Sequence, residues 1–478
     1  MITLIIAIIS LILGYVIYGR YIAKFFGASS QIETPAKRLA DGVDYIPLKP
    51  WKIFTIQFLN IAGLGPIFGA ILGAKYGPIS YLWIVVGCIF MGSVHDYFSG
   101  MISIRNDGIS VPDIVAKYLG KNFKYIMVVF LFLLLIPVGA SFISSPADLL
   151  TNLSGWNRNI WLYLIFAYYI LATLLPIDKI IGKIYPFFGV TLLFMALAIM
   201  TYLITHSLDG SLKLIELTPA NFKNFHNNPE SNIALPMLFI VISCGAISGF
   251  HSTQSPLMAR CVTDEKYGRP CFFGAMIAEG IVAIVWATAA MAFFGGPEGL
   301  NTSGMSPAVI VDKICNTWFG KFGAVLAIIG VVACPLTSGD TAFRSLRLIV
   351  ADALKISQSP IKNRLYIITP LFILAFLLCN VEFGILWRYV GLFNQILATI
   401  FMWTISMYLV NNKKPHLIMS LPATFMTYIC SSYFIVAPHI SGGLALNTLI
   451  GNIVGAIVAL GLFSYFLAVD RKRQNSLS

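Results

Sequence analysis

Asn60–Gly69 reads NIAGLGPIFG, and it falls about halfway along an apolar run from Trp51 to Lys75. The run is long enough to cross a bilayer as one helix, yet three glycines and Pro66 sit within ten residues at its middle. Pro66 has no N–H, so the carbonyl of Ala62 is expected to lose its intrahelical partner, while the glycines weaken the neighbouring turns. Unpaired backbone groups at that depth are tolerated only inside protein or along a cavity. Transporters build their midplane sites from such groups. A simple packing kink is the other reading, because Gly and Pro are common in membrane helices. A matching break elsewhere decides between them.

The rest of the chain supplies the setting. Its 478 residues are 58% hydrophobic and 11% charged, with a mean hydropathy of +0.82. Apolar runs of about 18 residues or more recur from end to end, as in a multi-pass all-α membrane protein. Thirteen spans fit: Ile2–Tyr18, Trp51–Ala74, Ile79–Ile104, Phe123–Leu149, Ile160–Leu175, Tyr185–Ile204 and Asn232–Met258, followed by Cys271–Phe294, Phe322–Ile349, Leu365–Leu378, Phe383–Val410, Leu417–Val436 and Leu446–Val469. The first run has no basic residue before it and no small-residue cleavage pattern after it, so it reads as a retained helix. The eight cysteines are scattered without CxxC spacing, which indicates neither a disulfide framework nor a metal site.

Charge sets the expected topology. With the N-terminus outside and the C-terminus in the cytoplasm, the inward loops hold 25 of the 32 Lys and Arg residues. The outward side keeps Lys75, Arg158, Lys213, Lys223, Lys313, Lys321 and Arg388. That bias follows the positive-inside rule and accounts for the net charge of +12 without nucleic acid.

Under this topology the matching break appears in the seventh span, at Ser243–Pro256 (SCGAISGFHSTQSP). Pro256 is expected to free the carbonyl of Ser252. Spans 2 and 7 run in opposite directions and open two blocks of five. The third members also correspond: Pro137 precedes Gly139, Ser141, Ser144 and Ser145, and Pro335 precedes Thr337, Ser338, Gly339 and Thr341. A five-plus-five inverted repeat follows, with 1–50 as first helix and linker, 51–206 as first repeat, 207–231 as outer loop, 232–411 as second repeat and 412–478 as two helices and a basic tail. Paired breaks in inverted halves point to a secondary-transporter site.

Six motifs resemble the carbon starvation protein A family. They are QFLNIAGLGPIFGAILGAKYG (Gln57–Gly77), GSVHDYFSGMISIRNDGIS (Gly92–Ser110), GAISGFHSTQSP (Gly245–Pro256), AEGIVAIVWA (Ala278–Ala287), SGDTAFRSLRL (Ser338–Leu348) and the Asn394–Gln395 pair. The resemblance implies a bacterial cytoplasmic-membrane transporter similar to the amino acid–polyamine–organocation superfamily. It further implies import of small peptides, or in some members pyruvate, during carbon starvation. The chain is shorter than the long members of that family.

The chemistry expected at the breaks follows from the substrate. Half-helix N-termini suit a carboxylate, and half-helix C-termini suit a cation or ammonium group. Asn60, Gly63, Gly65, Ser248, Gly249, His251, Ser252 and Gln254 are the expected substrate residues, although hydroxyls also back-bond to their own helices. His251 either orients substrate, carries a proton or is a hydrogen-bonded core residue; its unperturbed pKa is about 6.5. Glu279 lies alone inside an apolar span, where a carboxyl group is functional by default. Its expected role is proton coupling, the alternative being a structural partner for Arg105 or Arg344. Thr337, Ser338 and Thr341 offer oxygen donors for sodium instead. His95 and Asp96, adjacent and so on different helix faces, are expected with Arg105 at a cytoplasmic gate or in packing. Asp340 and Arg344, four apart, suit an intrahelical pair. The partners expected are a small peptide or pyruvate-like solute and membrane lipid, with no obligate protein partner and no cofactor beyond a coupling proton or sodium ion. No GxSxG or HExxH set supports a membrane enzyme. A membrane-bound nutrient sensor is the remaining alternative.

Overall fold

Apolar runs bounded by Gly, Pro and charged residues wind into helices throughout the computed structural model, which describes residues 1–42, 45–174, 177–358 and 360–477. The first third holds Ile2–Phe26 (α1), Pro50–Ala62 (α2), Gly65–Ala74 (α3) and Ile79–Ile104 (α4). Val111–Leu119 (α5) and Lys121–Ser154 (α6) follow. Arg158–Leu174 (α7) and Ile177–Leu208 (α8) lead to an irregular segment. Ala234–Val241 (α9), Gly249–Ala259 (α10) and Glu265–Phe293 (α11) come next. The remainder is Pro307–Ala327 (α12), Ala333–Leu354 (α13), Ile361–Leu378 (α14), Phe383–Asn411 (α15), Leu417–Val436 (α16) and Thr448–Leu477 (α17).

Among the described residues nine helices are long and apolar enough to cross a membrane, or ten if the bent pair α2–α3 is one span. Three expected spans fall outside that set. α7 has only 17 residues, α9 and α10 are separated by the unwound stretch 242–248, and α13 carries Asp340, Arg344, Arg347 and Asp352. Leu175, the expected end of the fifth span, lies outside the described residues, as do the side chains of Lys179 and Lys183 that entered the charge count.

Burial sorts the helices into centre and rim. In the most apolar stretches of α11 and α15, 83% of residues are buried, against 17% for α17. The rim helices expose Leu449, Ile457 and Leu460, which is stable where the surrounding solvent is hydrocarbon.

Prolines and glycines do not act as the sequence suggests. α6 runs unbroken through Pro137 and Pro146, and the helical run around Pro335 in the second block is likewise continuous. α12 begins in what reads as a loop and turns at Gly320, where φ is 57°. α5 is a short amphipathic helix that the span pattern does not register.

Candidate functional site

The first break is made by glycine and begun again by proline. α2 ends at Ala62, and Gly63 takes φ 48° and ψ −129°, a region closed to residues with a Cβ. Pro66 falls at the start of the next helical turn, where its missing N–H costs nothing. The break also leaves the Leu59 carbonyl, four residues before Gly63, to accept from outside its own helix. Ser338 Oγ donates to Leu59 O at 2.9 Å. The axis bends by 53° across the break.

The second break lies earlier than Pro256, which sits inside α10. Unwinding starts at Ile242 (φ −92°, ψ 74°) and ends at the extended Ser248 (φ −146°, ψ 127°). Trp83 Nε1 donates to the freed Ile242 carbonyl at 3.0 Å. The two breaks pack on each other: a Cβ built on Gly65 would lie 1.9 Å from Cys244 Cβ. Gly65 thus permits contact between the breaks.

The N-terminus of α10 is capped from another helix. Asn394 Oδ1 on α15 accepts from the Phe250 N–H at 2.7 Å and from Ser248 Oγ at 3.0 Å. Gly249 lies so close to the α15 backbone that an added Cβ would meet Asn394 O at 2.4 Å. Its role is close packing. Asn394→Ala is expected to remove this cap and lower stability by ~1–2 kcal/mol, read as a drop in thermal midpoint of the purified protein.

Buried beside this turn is a run of titratable groups from three helices. His95 Nδ1 pairs with Asp96 Oδ1 at 2.8 Å, and Asp96 Oδ2 pairs with His251 Nδ1 at 2.8 Å. His251 Nε2 lies 3.3 Å from Glu279 Oε2. All four side chains are fully buried. His95 and Asp96 are packed inside the helices, and although adjacent on α4 they share a contact, because Asp96 has two oxygens and sends the second to α10. Cys244 Sγ, a His251 ring nitrogen and a Glu279 oxygen lie within 4.8 Å of one another. A metal ion would find three ligands here and need a fourth, and the nearby Ser248 and Asn394 side chains are engaged with one another.

The other expected residues divide clearly. Asn60 is fully buried, and neither amide atom has a hydrogen-bond partner among the described residues. Gln254 donates to Thr253 Oγ1 at 2.8 Å and leaves its Oε1 unpaired. Ser252 back-bonds to Gly249 O, Thr337 to Cys334 O and Thr341 to Ser338 O. With Ser338 on Leu59, every hydroxyl expected at a sodium site already donates to a carbonyl. Asp340 accepts from Tyr185 at 2.9 Å and lies 3.8 Å from Arg344. Arg105 pairs with Glu265, at 2.8 and 3.0 Å, and not with Glu279. Asn394 and Glu265 were not singled out from sequence for these roles. The Asn394–Gln395 motif was the available signal for the first, whereas Glu265 sits in an ordinary polar loop.

The segment after α8 folds over the end of α3. Phe225 N donates to Tyr76 O, and Asn301 ties Lys75 O to Phe225 O at 2.8 and 3.0 Å. Burial pushes the neighbouring His226 imidazole down to about 4, with Lys75 and Arg388 acting the same way.

Comparison with known proteins now bears on this geometry. The family model for carbon starvation protein CstA matches residues 1–155 and 144–297. An uncharacterized membrane protein of Haemophilus influenzae is 44% identical over 352 residues, covering 64% of this chain and 94% of that one. The peptide transporter CstA of Bacillus subtilis is 26% identical over 500 residues, 82% of each chain. The pyruvate/proton symporter BtsT of Escherichia coli is 26% identical over 338 residues, 58% of this chain and 47% of that one. Among solved structures, a substrate-bound, outward-open Na+-coupled sialic acid symporter matches with a TM-score of 0.52 at 13% identity, covering 96% of this chain and 94% of that one. The manganese transporter of Eremococcus coleocola gives 0.54 at 13%, covering 91% and 99%. Identity that low speaks for the fold alone, which this chain shares with both of those proteins. The motifs around both breaks and the match over the first 297 residues agree: this multi-pass membrane protein belongs to the carbon starvation protein CstA family.

Proposed function

We propose that this chain is a secondary active transporter that imports small peptides across the cytoplasmic membrane by alternating access, coupled to protons in preference to sodium. The observation that carries this reading is the junction of the two breaks, where Gly65 meets Cys244 and Asn60 is buried with an unsatisfied amide. A buried amide without a partner is costly, and a solute that binds there relieves the cost. In the proposed topology thirteen spans run from an outside N-terminus to a cytoplasmic C-terminus. Residues 51–206 and 232–411 form the inverted repeats that rock about the junction. Proton coupling is preferred because two titratable side chains, His251 and Glu279, are fully buried and lie 3.3 Å apart.

Pyruvate is the second reading for the substrate. It is favoured by the relationship to the pyruvate/proton symporter, and a carboxylate is common to both solutes. Purified protein in liposomes, tested for counterflow of labelled dipeptide and labelled pyruvate, separates them. Accumulation of one solute under an imposed proton gradient is the expected result. Accumulation of neither, under a proton or a sodium gradient, would overturn import.

A further inference from the structure

We propose that Asp96, His251 and Glu279 form the binding site of the coupling proton, an inference that rests on the transport reading above. Three helices, α4, α10 and α11, each bring one of these groups to a fully buried point. His251 stands between the two carboxylates, 2.8 Å from Asp96 and 3.3 Å from Glu279. Both Glu279 oxygens and His251 Nε2 lack a hydrogen-bond partner among the described residues, and so does His95 Nε2 at the far end of the row. Their burial is costly as it stands. A hydrogen on His251 Nε2 meets part of this cost, and a further proton on Glu279 turns that carboxyl group into a donor.

The charge balance explains why a proton belongs here. With Asp96 and Glu279 ionised and His251 protonated, the cluster carries one net negative charge. One further proton, bound to Glu279, brings it to zero. The charged or titratable groups recorded beside His251 are Asp96 from α4, Glu279 from α11 and Cys244 from the unwound stretch. α2 and α15 present uncharged Gln57 and Asn394 to α10, and Asp340 of α13 is turned to Tyr185 and Arg344. His95 of α4 faces the other Asp96 oxygen, and with that ring neutral the cluster keeps its negative charge.

Coupling follows from position. His251 is the third residue of α10, one beyond Phe250, whose N–H is capped by Asn394. A substrate carboxylate at this turn is repelled by the cluster in its negative form and admitted once the proton has bound. Each ligand then strengthens binding of the other by the same factor.

The test uses liposomes that enclose a pH-sensitive dye, with labelled dipeptide or pyruvate added outside. In the wild type, solute entry should acidify the lumen. In Glu279→Gln the number of protons moved per solute should fall by roughly tenfold or more, and in His251→Gln substrate affinity should lose its rise at low pH. Unchanged acidification per solute in both variants overturns the proton site and leaves transport standing. If the wild type moves neither solute, the transport reading fails, and infrared titration of the purified protein judges the cluster by itself. A protonated carboxyl band that Glu279→Gln abolishes supports the site. Absence of such a band at every pH overturns it.

Discussion

Gly65→Ala should leave little correctly folded protein, and Cys244→Gly in the same chain should restore most of what is lost. A methyl group on Gly65 would sit 1.9 Å from Cys244 Cβ and 2.5 Å from its Sγ. The Sγ can swing away about χ1, but the Cβ cannot move without shifting the unwound backbone that carries it. Overpacking a tight site costs ~1–3 kcal/mol, occasionally more, and here the strain falls where two unwound segments meet. Cys244→Gly removes both clashing atoms. The double variant should therefore recover thermal stability and monodispersity well beyond the sum of the single effects. Gly63 provides the contrast. A Cβ there would meet Phe142 Cζ at 2.5 Å, but the backbone also sits at φ 48° and ψ −129°, where any L side chain is strained. Phe142→Ala should fail to rescue Gly63→Ala. Equal rescue at both positions, or at neither, would mean that the contact between the breaks is looser than the geometry requires.

Both breaks were legible because Gly and Pro cannot hide in an apolar run. Which of them breaks the helix was not. Pro66 and Pro256 attract attention, yet the helix ends at Gly63 and unwinds at Ile242–Ser248. Proline at the start of a turn is free of cost, and a long buried helix such as α6 absorbs the bonds lost at Pro137 and Pro146. The hydroxyls of Thr337 and Thr341 donate within their own helix, whereas Ser338 reaches across to Leu59, a difference that spacing along the chain does not show. The titratable row was the hardest to see. His251 and Glu279 could each be singled out from burial in an apolar context. Their partner Asp96 is 155 positions from His251 along the chain, and helix periodicity relates only residues of one helix. Charge bias indicated a topology, while the span count depends on how short, split and charged helices are treated.

Arg105→Ala should destabilise the protein by several kcal/mol, and more than Glu265→Ala does. Arg105 reaches Glu265 with two nitrogens, at 2.8 and 3.0 Å, and donates to Gly27 O at 2.7 Å. Its guanidinium also lies over the Phe26 ring, 4.3 Å from the centroid. The Ser29 N–H donates at 3.0 Å to Glu265 Oε2, the oxygen that also accepts from Arg105 Nη2. The end of α1, the end of α4 and the start of α11 are thus tied through one carboxylate, and the neighbouring Phe25 and Phe26 carbonyls accept from Lys414 at 2.6 Å. The pair is unequal: the Arg105 side chain is 26% exposed and that of Glu265 is 0% exposed. Loss of Arg105 leaves a buried carboxylate with one N–H for compensation, a change that costs ~3–5 kcal/mol in comparable pairs. Loss of Glu265 leaves a cation that can turn toward water, so its penalty is smaller. Replacing both residues with methionine should recover much of the stability, because no uncompensated charge remains. Chemical or thermal unfolding of the purified single and double variants measures each of these. If Glu265→Ala proves the more damaging, the anchor is the hydrogen bonding of Ser29 and not the ion pair. If the methionine pair is as unstable as Arg105→Ala, the contact from Arg105 to Gly27 holds the three ends together.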